Sequence, residues 1–383
     1  MLTVVLLSRC EKDEPDPNIK IPDNNFLNAL IELGVDLNND SKIIPAEAEA
    51  ITSLDISRDS ISDLTGIEKF INLEYLDCSN NLITKLDVSN NTALKYLFCY
   101  NNQLGRLDLS NNDNALLCLY CQNNRLARLY VTNLSNLTQL HCEDNRLSTL
   151  DVSTNTALEE LTCHRNQLTA LDVSNNTELV SLECGNNQLT TLDVSGNVYL
   201  KYLICISNQL TSLNVSNSKE LYYLNCGNSV VWGNNQLTTL DVSNNIALTT
   251  LLCKRMQLTT LDVSNNTALV NLQCGDNQLT SLDVSNNTHL EEFLCSRNQL
   301  TSLDVSNLAI LRVLHCRGNQ LTSLDISKNP DLGLSSWWNC DLDIGDMPSL
   351  TKVCVWTMPF PPEGFRLCRD NCPNVYFTTD CSK

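Results

Sequence analysis

Along most of the chain the apolar positions recur in one order, L-x-x-L-x-C-x-x-N-x-L-x-x-L-D-V-S-x-N, and the order returns every 21 residues. A cysteine marks the frame at Cys78, Cys99, Cys121, Cys142, Cys163, Cys184, Cys205, Cys226, Cys253, Cys274, Cys295 and Cys316, with one step of 22 and one of 27. Upstream, Ile56 stands in the cysteine slot; downstream, Trp337 and then Val355 occupy it less regularly. Within each L-x-C, side chains alternate in direction. Leu182 and Cys184 therefore enter a core while Ser181, Glu183 and Gly185 face out. Leu189, Leu192 and Val194 supply the other inward positions of that coil. The Asn187 amide is placed to hydrogen-bond loop backbone that no strand pairs, and "DVSNN" reads as a return turn whose side chains cap backbone locally. Stacked copies pair their short strands into one parallel sheet.

This spacing is that of the leucine-rich repeat, with cysteine in one leucine slot. The 21-residue unit and its cysteine resemble the internalin-J type of bacterial adhesin from about Ile51 to Val355. The expected fold is an α/β leucine-rich-repeat solenoid of about 15 coils, with its parallel sheet on the concave face. Residues 1–19 read as a signal or lipoprotein N-terminus and linker, 20–50 as a helical N-terminal cap, 51–340 as repeats, and 341–383 as a small cysteine-rich C-terminal cap.

The cysteines read as structural. A thiol is a small buried hydrophobe where leucine would overpack a tight coil. Neighbouring strands lie about 4.8 Å apart with parallel side chains, whereas a disulfide needs converging Cβ atoms about 3.8 Å apart. A column of reduced thiols is expected; a metal-binding thiolate column would require deprotonation inside an apolar core. Cys118 and Cys121 spell C-x-x-C, but point to opposite sheet faces. Cys121 belongs to the ladder and Cys118 looks outward.

Composition narrows the function. A formal charge of −19 argues against nucleic-acid binding and against adhesion to anionic lipid. No apolar run approaches the roughly 20 residues of a spanning helix. The segment "MLTVVLLSRC" resembles the end of a bacterial lipoprotein signal, with Cys10 as the acylated residue and the following "EKDE" resembling an outer-face sorting signal. Arg9 stands where that motif has a small residue, and the bland reading is an ordinary N-terminus with a chance cysteine. A lipid anchor would be the protein's contact with membrane.

Both ends need caps over the solenoid core. "DNNFLNALIELGV" reads as a short amphipathic helix, followed by "DLNNDSKIIPAE". The latter matches an EF-hand loop, with Asp36, Asn38 and Asp40 at the first, third and fifth places, Lys42 offering its carbonyl, and Glu47 closing the site. Ser41 replaces the usual turn glycine. Structural calcium and a solvated acidic loop are the two readings. Beyond the ladder, Cys340, Cys354, Cys368, Cys372 and Cys381 suggest disulfides, with Cys354–Cys381 and Cys368–Cys372 as plausible pairs and one thiol free.

Function should sit on what varies across the exposed sheet face. Tyr75, Tyr96, Phe98, Tyr100 and Tyr120 crowd the early coils, and Tyr202, Ile204, Ile206 and Tyr223 form a second group. Outward aromatics serve as binding anchors or as cross-strand packing. Between them lie His141, Glu143 and His164, read either as surface polars or as an incomplete metal site. Lys254, Arg255, Arg297, Arg312, His315 and Arg317 line the late coils and either meet an anionic partner or balance local charge. The 27-residue step inserts six residues and puts Val230, Val231 and Trp232 on a projecting loop, as an anchor or folded back. Met256 replaces the ladder Asn in the next coil.

No catalytic constellation is visible, and no catalytic cofactor is expected, because the Asp and Ser of D-V-S repeat in nearly every coil and so serve the turn. The resemblance implies a surface protein binding a host or neighbouring-cell glycoprotein through its concave face, and a monomer is expected. A carbohydrate-capture lipoprotein and a structural envelope protein are the alternatives.

Overall fold

The computed structural model describes residues 18–113, 115–229, 234–334 and 339–382. Its organising element is a parallel sheet of 15 strands running from Ser53–Asp55 to Leu367–Cys368, each strand two or three residues long. Every coil contributes one strand in strict register, as in Leu182↔Leu203↔Leu224. From Leu54 to Leu342 the inward residue of each strand is buried, a leucine everywhere except Phe293, so one apolar column runs along the core.

The cysteine column lies beside it. All twelve ladder cysteines have no exposed surface and all are free thiols. Burial pushes each thiol up, to about 12 for Cys184, so the proton stays on sulfur. Cys118 does point toward the sheet face, but its neighbours cover it to 5% exposure. Its Sγ lies 3.3 Å from Gln139 Oε1.

Two asparagine columns hold the turns. Asn187 Nδ2 donates to the Cys163 and Cys184 carbonyls, both at 3.0 Å, and its Oδ1 accepts from the Leu168 N–H at 3.0 Å. One side chain therefore joins two coils where no strand pairs. Two places after eleven of the twelve ladder cysteines the chain turns left-handed, as at Asn186 with φ 54°; Asn228, at the insertion, is the exception. The second column sits at the last Asn of D-V-S-x-N: Asn176 is fully buried and donates to the Val152 and Asn155 carbonyls. The aspartates cap locally, Asp172 Oδ1 accepting from the Ser174 N–H at 2.9 Å.

Helix α1, Asn24–Glu32, closes the N-terminal end by burying Phe26, Ala29 and Leu30, and Asp23 caps it by accepting from Asn25 and Phe26 N–H. Helix α2, Pro45–Glu49, leads into the first strand.

At the other end the sheet continues through Leu342–Asp343 and Leu367–Cys368, while Ser323–Asp325, Lys352–Cys354 and Tyr376–Thr378 form a second parallel sheet. The C-terminal segment is thus stacked on the solenoid as further coils. Two expectations change here. The slot after Cys316 is filled by Ile344, because Leu342 pairs with Leu314; Trp337 lies outside the described residues. Val355 belongs to the second sheet's register instead.

Of the proposed disulfides, Cys354–Cys381 forms, with Cα atoms 5.6 Å apart. Cys368 pairs with Cys340 and not with Cys372. Cys340 lies two residues before the neighbouring strand and comes within 5.9 Å of Cys368, Cα to Cα. Cys372, past the left-handed turn at Asn371, faces the core and donates to the Ile344 carbonyl at 2.8 Å. It is the free one of the five.

Candidate functional site

On the sheet's solvent face, three columns flank the buried leucine and cysteine of each strand. Because the coils pair in register, residues 21 apart in sequence become side-by-side neighbours. That register assembles the early aromatics into a continuous strip. Tyr75 lies 6.4 Å from Tyr96 and 5.4 Å from Phe98, ring centroid to centroid. Phe98 meets Tyr120 edge-on at 5.0 Å, and Tyr120 stacks on His141 at 4.0 Å. Tyr120 Oη also donates to Gln139 Oε1 at 3.0 Å. Tyr96 is the most open ring at 40% exposure, while Tyr75, Phe98, Tyr100 and Tyr120 are half-buried. Burial pushes the Tyr120 hydroxyl up to about 12, so it remains a donor.

The second group is tighter. Tyr202 and Tyr223 stack at 4.5 Å, and Tyr222, which lies outside the three columns considered from sequence, joins them at 6.4 Å from Tyr202. Gly185 makes room on this face: a Cβ there would sit 2.7 Å from Ile206 Cγ2.

Between the groups lies a patch that is larger than the three residues singled out from sequence. His141 Nε2 is 3.2 Å from Glu160 Oε1. His164 Nδ1 is 3.6 Å from Glu183 Oε2, and its Nε2 is 3.9 Å from Asp144 Oδ2. Glu143 sits among them. Burial, and then its neighbours Asp144, Glu183 and Glu160, push its carboxyl up to about 7. Burial likewise raises Glu183 and holds both histidines below their usual value, so the rings are neutral at pH 7. Glu160 and Glu183 were legible, since they stand three and one places before a ladder cysteine.

These groups do not form a metal cage. Among the described residues, the one close grouping of three His, Cys, Asp or Glu ligand atoms is Asp325, Cys354 and Cys381, and two of those share a disulfide. The calcium-loop residues are likewise engaged elsewhere. Glu47 accepts from the Leu37 and Ile44 N–H groups, Asp36 from Asp40 and Ser41, Asn38 from Asp40, and Asp40 from Lys42. The loop carboxylates cap backbone, and Asp36, Asp40 and Glu47 are not among the close groupings of ligand atoms in the described residues.

The late basic residues find partners on their own face. Arg255 and Arg297 both lie 3.5 Å from Asp276, Arg312 is 3.1 Å from Glu291, and Arg317 is 2.7 Å from Asp346. His315 Nε2 contacts the Cys340 carbonyl at 2.9 Å, and Lys254 Nζ reaches Gln273 at 3.3 Å. The geometry matches local charge balance. Met256 packs into the core at 6% exposure. Trp232, Val230 and Val231 lie outside the described residues, as does Cys10. At the base of the insertion Asn228 Oδ1 accepts from the Asn235 N–H at 2.8 Å, and Asn235 takes the ladder position by donating to Cys205 and Cys226 carbonyls.

No protein-family model matches the chain. Internalin J of Listeria monocytogenes is 39% identical over 71 residues, 18% of this chain but 8% of that protein's length. The solved functional domain of InlJ from the same organism, which includes a cysteine ladder, matches with a TM-score of 0.78 and 36% identity over 87% of this chain and 74% of that one. The internalin InlF of Listeria monocytogenes matches in fold, with TM-score 0.64 and 23% identity over 95% of this chain and 96% of that one. With the repeat length, the buried cysteine column and the InlJ domain in agreement, the chain belongs to the internalin-J-like leucine-rich-repeat proteins.

Proposed function

We propose that this protein is a non-enzymatic binding module, displayed on a cell surface or secreted, whose sheet face recognises a host or neighbouring-cell glycoprotein. One observation carries the reading: two clusters of tyrosine and phenylalanine lie on the solvent face of the sheet in a chain that is otherwise poor in aromatics. Half-buried aromatic rings held by their neighbours lose little entropy on binding and dominate interface energetics. Attachment through an acylated Cys10 and action as a monomer belong to the same proposal.

The test is binding of residues 20–383 to mucin-coated and cultured-cell surfaces, beside a Tyr96→Ala, Tyr100→Ala variant. Loss of about 2 kcal/mol or more, the scale of a hot spot, supports the early cluster as the contact. Unchanged binding removes these residues from the site, and no binding by wild type favours a structural envelope role. Stripping by free sugar identifies carbohydrate capture instead. For the Asp36–Glu47 loop we infer a self-capped turn. Calcium should leave the melting temperature unchanged; a saturable rise with added calcium restores the calcium reading.

A further inference from the structure

The half-buried patch between the aromatic clusters has a charge pattern that its own fold leaves unanswered. Glu143, Glu160, Glu183 and Asp144 converge around two neutral imidazoles. Among the described residues, the cation in ionic contact with them is Arg165, 3.6 Å from Asp144 Oδ1, with its side chain 63% exposed. Glu143 Oε2, covered by neighbouring side chains, has no hydrogen-bond partner among the described residues. A charge-assisted donor from a partner would satisfy that oxygen. The late coils are different, because there each carboxylate named above already meets an arginine.

Resting on the reading of the sheet face as a binding surface, we infer that this patch receives one arginine or lysine of a protein partner, while the flanking aromatic clusters receive apolar side chains on either side of it. The occupant is an extended polypeptide segment crossing the strands. Tyr120 and Tyr202 stand four strand positions apart in the sheet order. At about 4.8 Å per strand that is about 19 Å, and an extended chain at about 3.3 Å per residue covers it in about six residues. The pattern fits an apolar residue, a basic residue three places on, and a second apolar residue three places after that. Charge complementarity selects the middle residue, since a guanidinium fork meets carboxylates from two neighbouring strands at once.

The experiment uses the folded protein and two synthetic peptides, Trp-Gly-Gly-Arg-Gly-Gly-Trp and the same sequence with neutral citrulline for arginine. Calorimetry should give roughly tenfold or greater preference for the arginine peptide, reduced at high salt. In a Glu143→Gln, Glu183→Gln variant the preference should close, with circular dichroism confirming the fold. Tyr120→Ala should weaken both peptides alike. Equal affinity of the two peptides for wild type, or an undiminished preference in the double variant, overturns the inference. Equal affinity that Tyr120→Ala lowers leaves the sheet-face reading standing while removing its basic centre. Failure of both peptides to bind also overturns the inference, and binding to mucin and cells then judges the sheet-face reading by itself.

Discussion

Replacing Asn187 by Ala removes one rung of the inner asparagine column, and the structure sets the size of the effect. Four hydrogen bonds disappear, the longest being the 3.4 Å one to the Gly185 carbonyl. The carbonyls of Cys163 and Cys184 each keep a second donor, from Asn166 and Asn208 respectively. The Leu168 N–H, buried, loses its acceptor outright. An orphaned buried donor costs about 1–3 kcal/mol and each net hydrogen bond about 0.5–1.5 kcal/mol, so the variant should lose about 2–4 kcal/mol. In a stacked solenoid that loss is felt first by the coils on either side. The assay is therefore guanidinium unfolding followed by circular dichroism, with amide exchange at Leu168 read in parallel. Gln188→Ala, at the exposed neighbouring position, is the control and should change stability by under about 0.5 kcal/mol. If Asn187→Ala loses no more than that control and Leu168 exchanges at the wild-type rate, the column does not hold the coils together and the reasoning fails.

Glu143→Gln should stabilise the protein at alkaline pH. The folded carboxyl is raised to about 7 from an ordinary 4.5, so its contribution is fully favourable below pH 4.5 and is lost as pH rises through 7. After discounting for partial exposure the variant should gain about 1 kcal/mol at pH 8 and almost nothing at pH 4.5; a gain independent of pH would contradict this. The ladder thiols should resist a thiol reagent in the native state and react once the chain unfolds, and fast native labelling of a ladder cysteine would refute the closed core. Cys354→Ser with Cys381→Ser opens a loop with a sequence separation of 27. It should cost about 3–4 kcal/mol, read as a lower unfolding midpoint of the C-terminal coils.

Much of the fold was legible because a 21-residue period leaves little freedom. Leu182 and Cys184 had to share a face, and Leu189, Leu192 and Val194 had to join them, or the coil would bury no core. The cap helix was also local: an N-cap aspartate before a short apolar stripe suffices to announce it. The aromatic strip was half legible. Sequence placed Tyr75, Phe98 and Tyr120 in columns, but only the register showed that the strip ends in a Tyr120–His141 stack.

Where sequence reasoning stopped, the missing information was non-local. Asp36, Asp40 and Glu47 have calcium-loop spacing, yet spacing does not say whether their oxygens meet an ion or the N–H groups of Leu37, Ser41 and Ile44. Cys368 is four residues from Cys372 along the chain, but strand stacking brings it to Cys340, 28 residues away. Arg255 and Arg297, which read as a basic patch, share one aspartate across three coils. The repeat by itself determined that the chain is a solenoid with one buried face, because periodic apolar burial has no other compact solution. Tertiary structure decided which outward side chains neutralise one another, because electrostatic and hydrogen-bond partners are chosen across coils at distances of a few ångströms. That choice left one patch, around Glu143, with its charge unanswered.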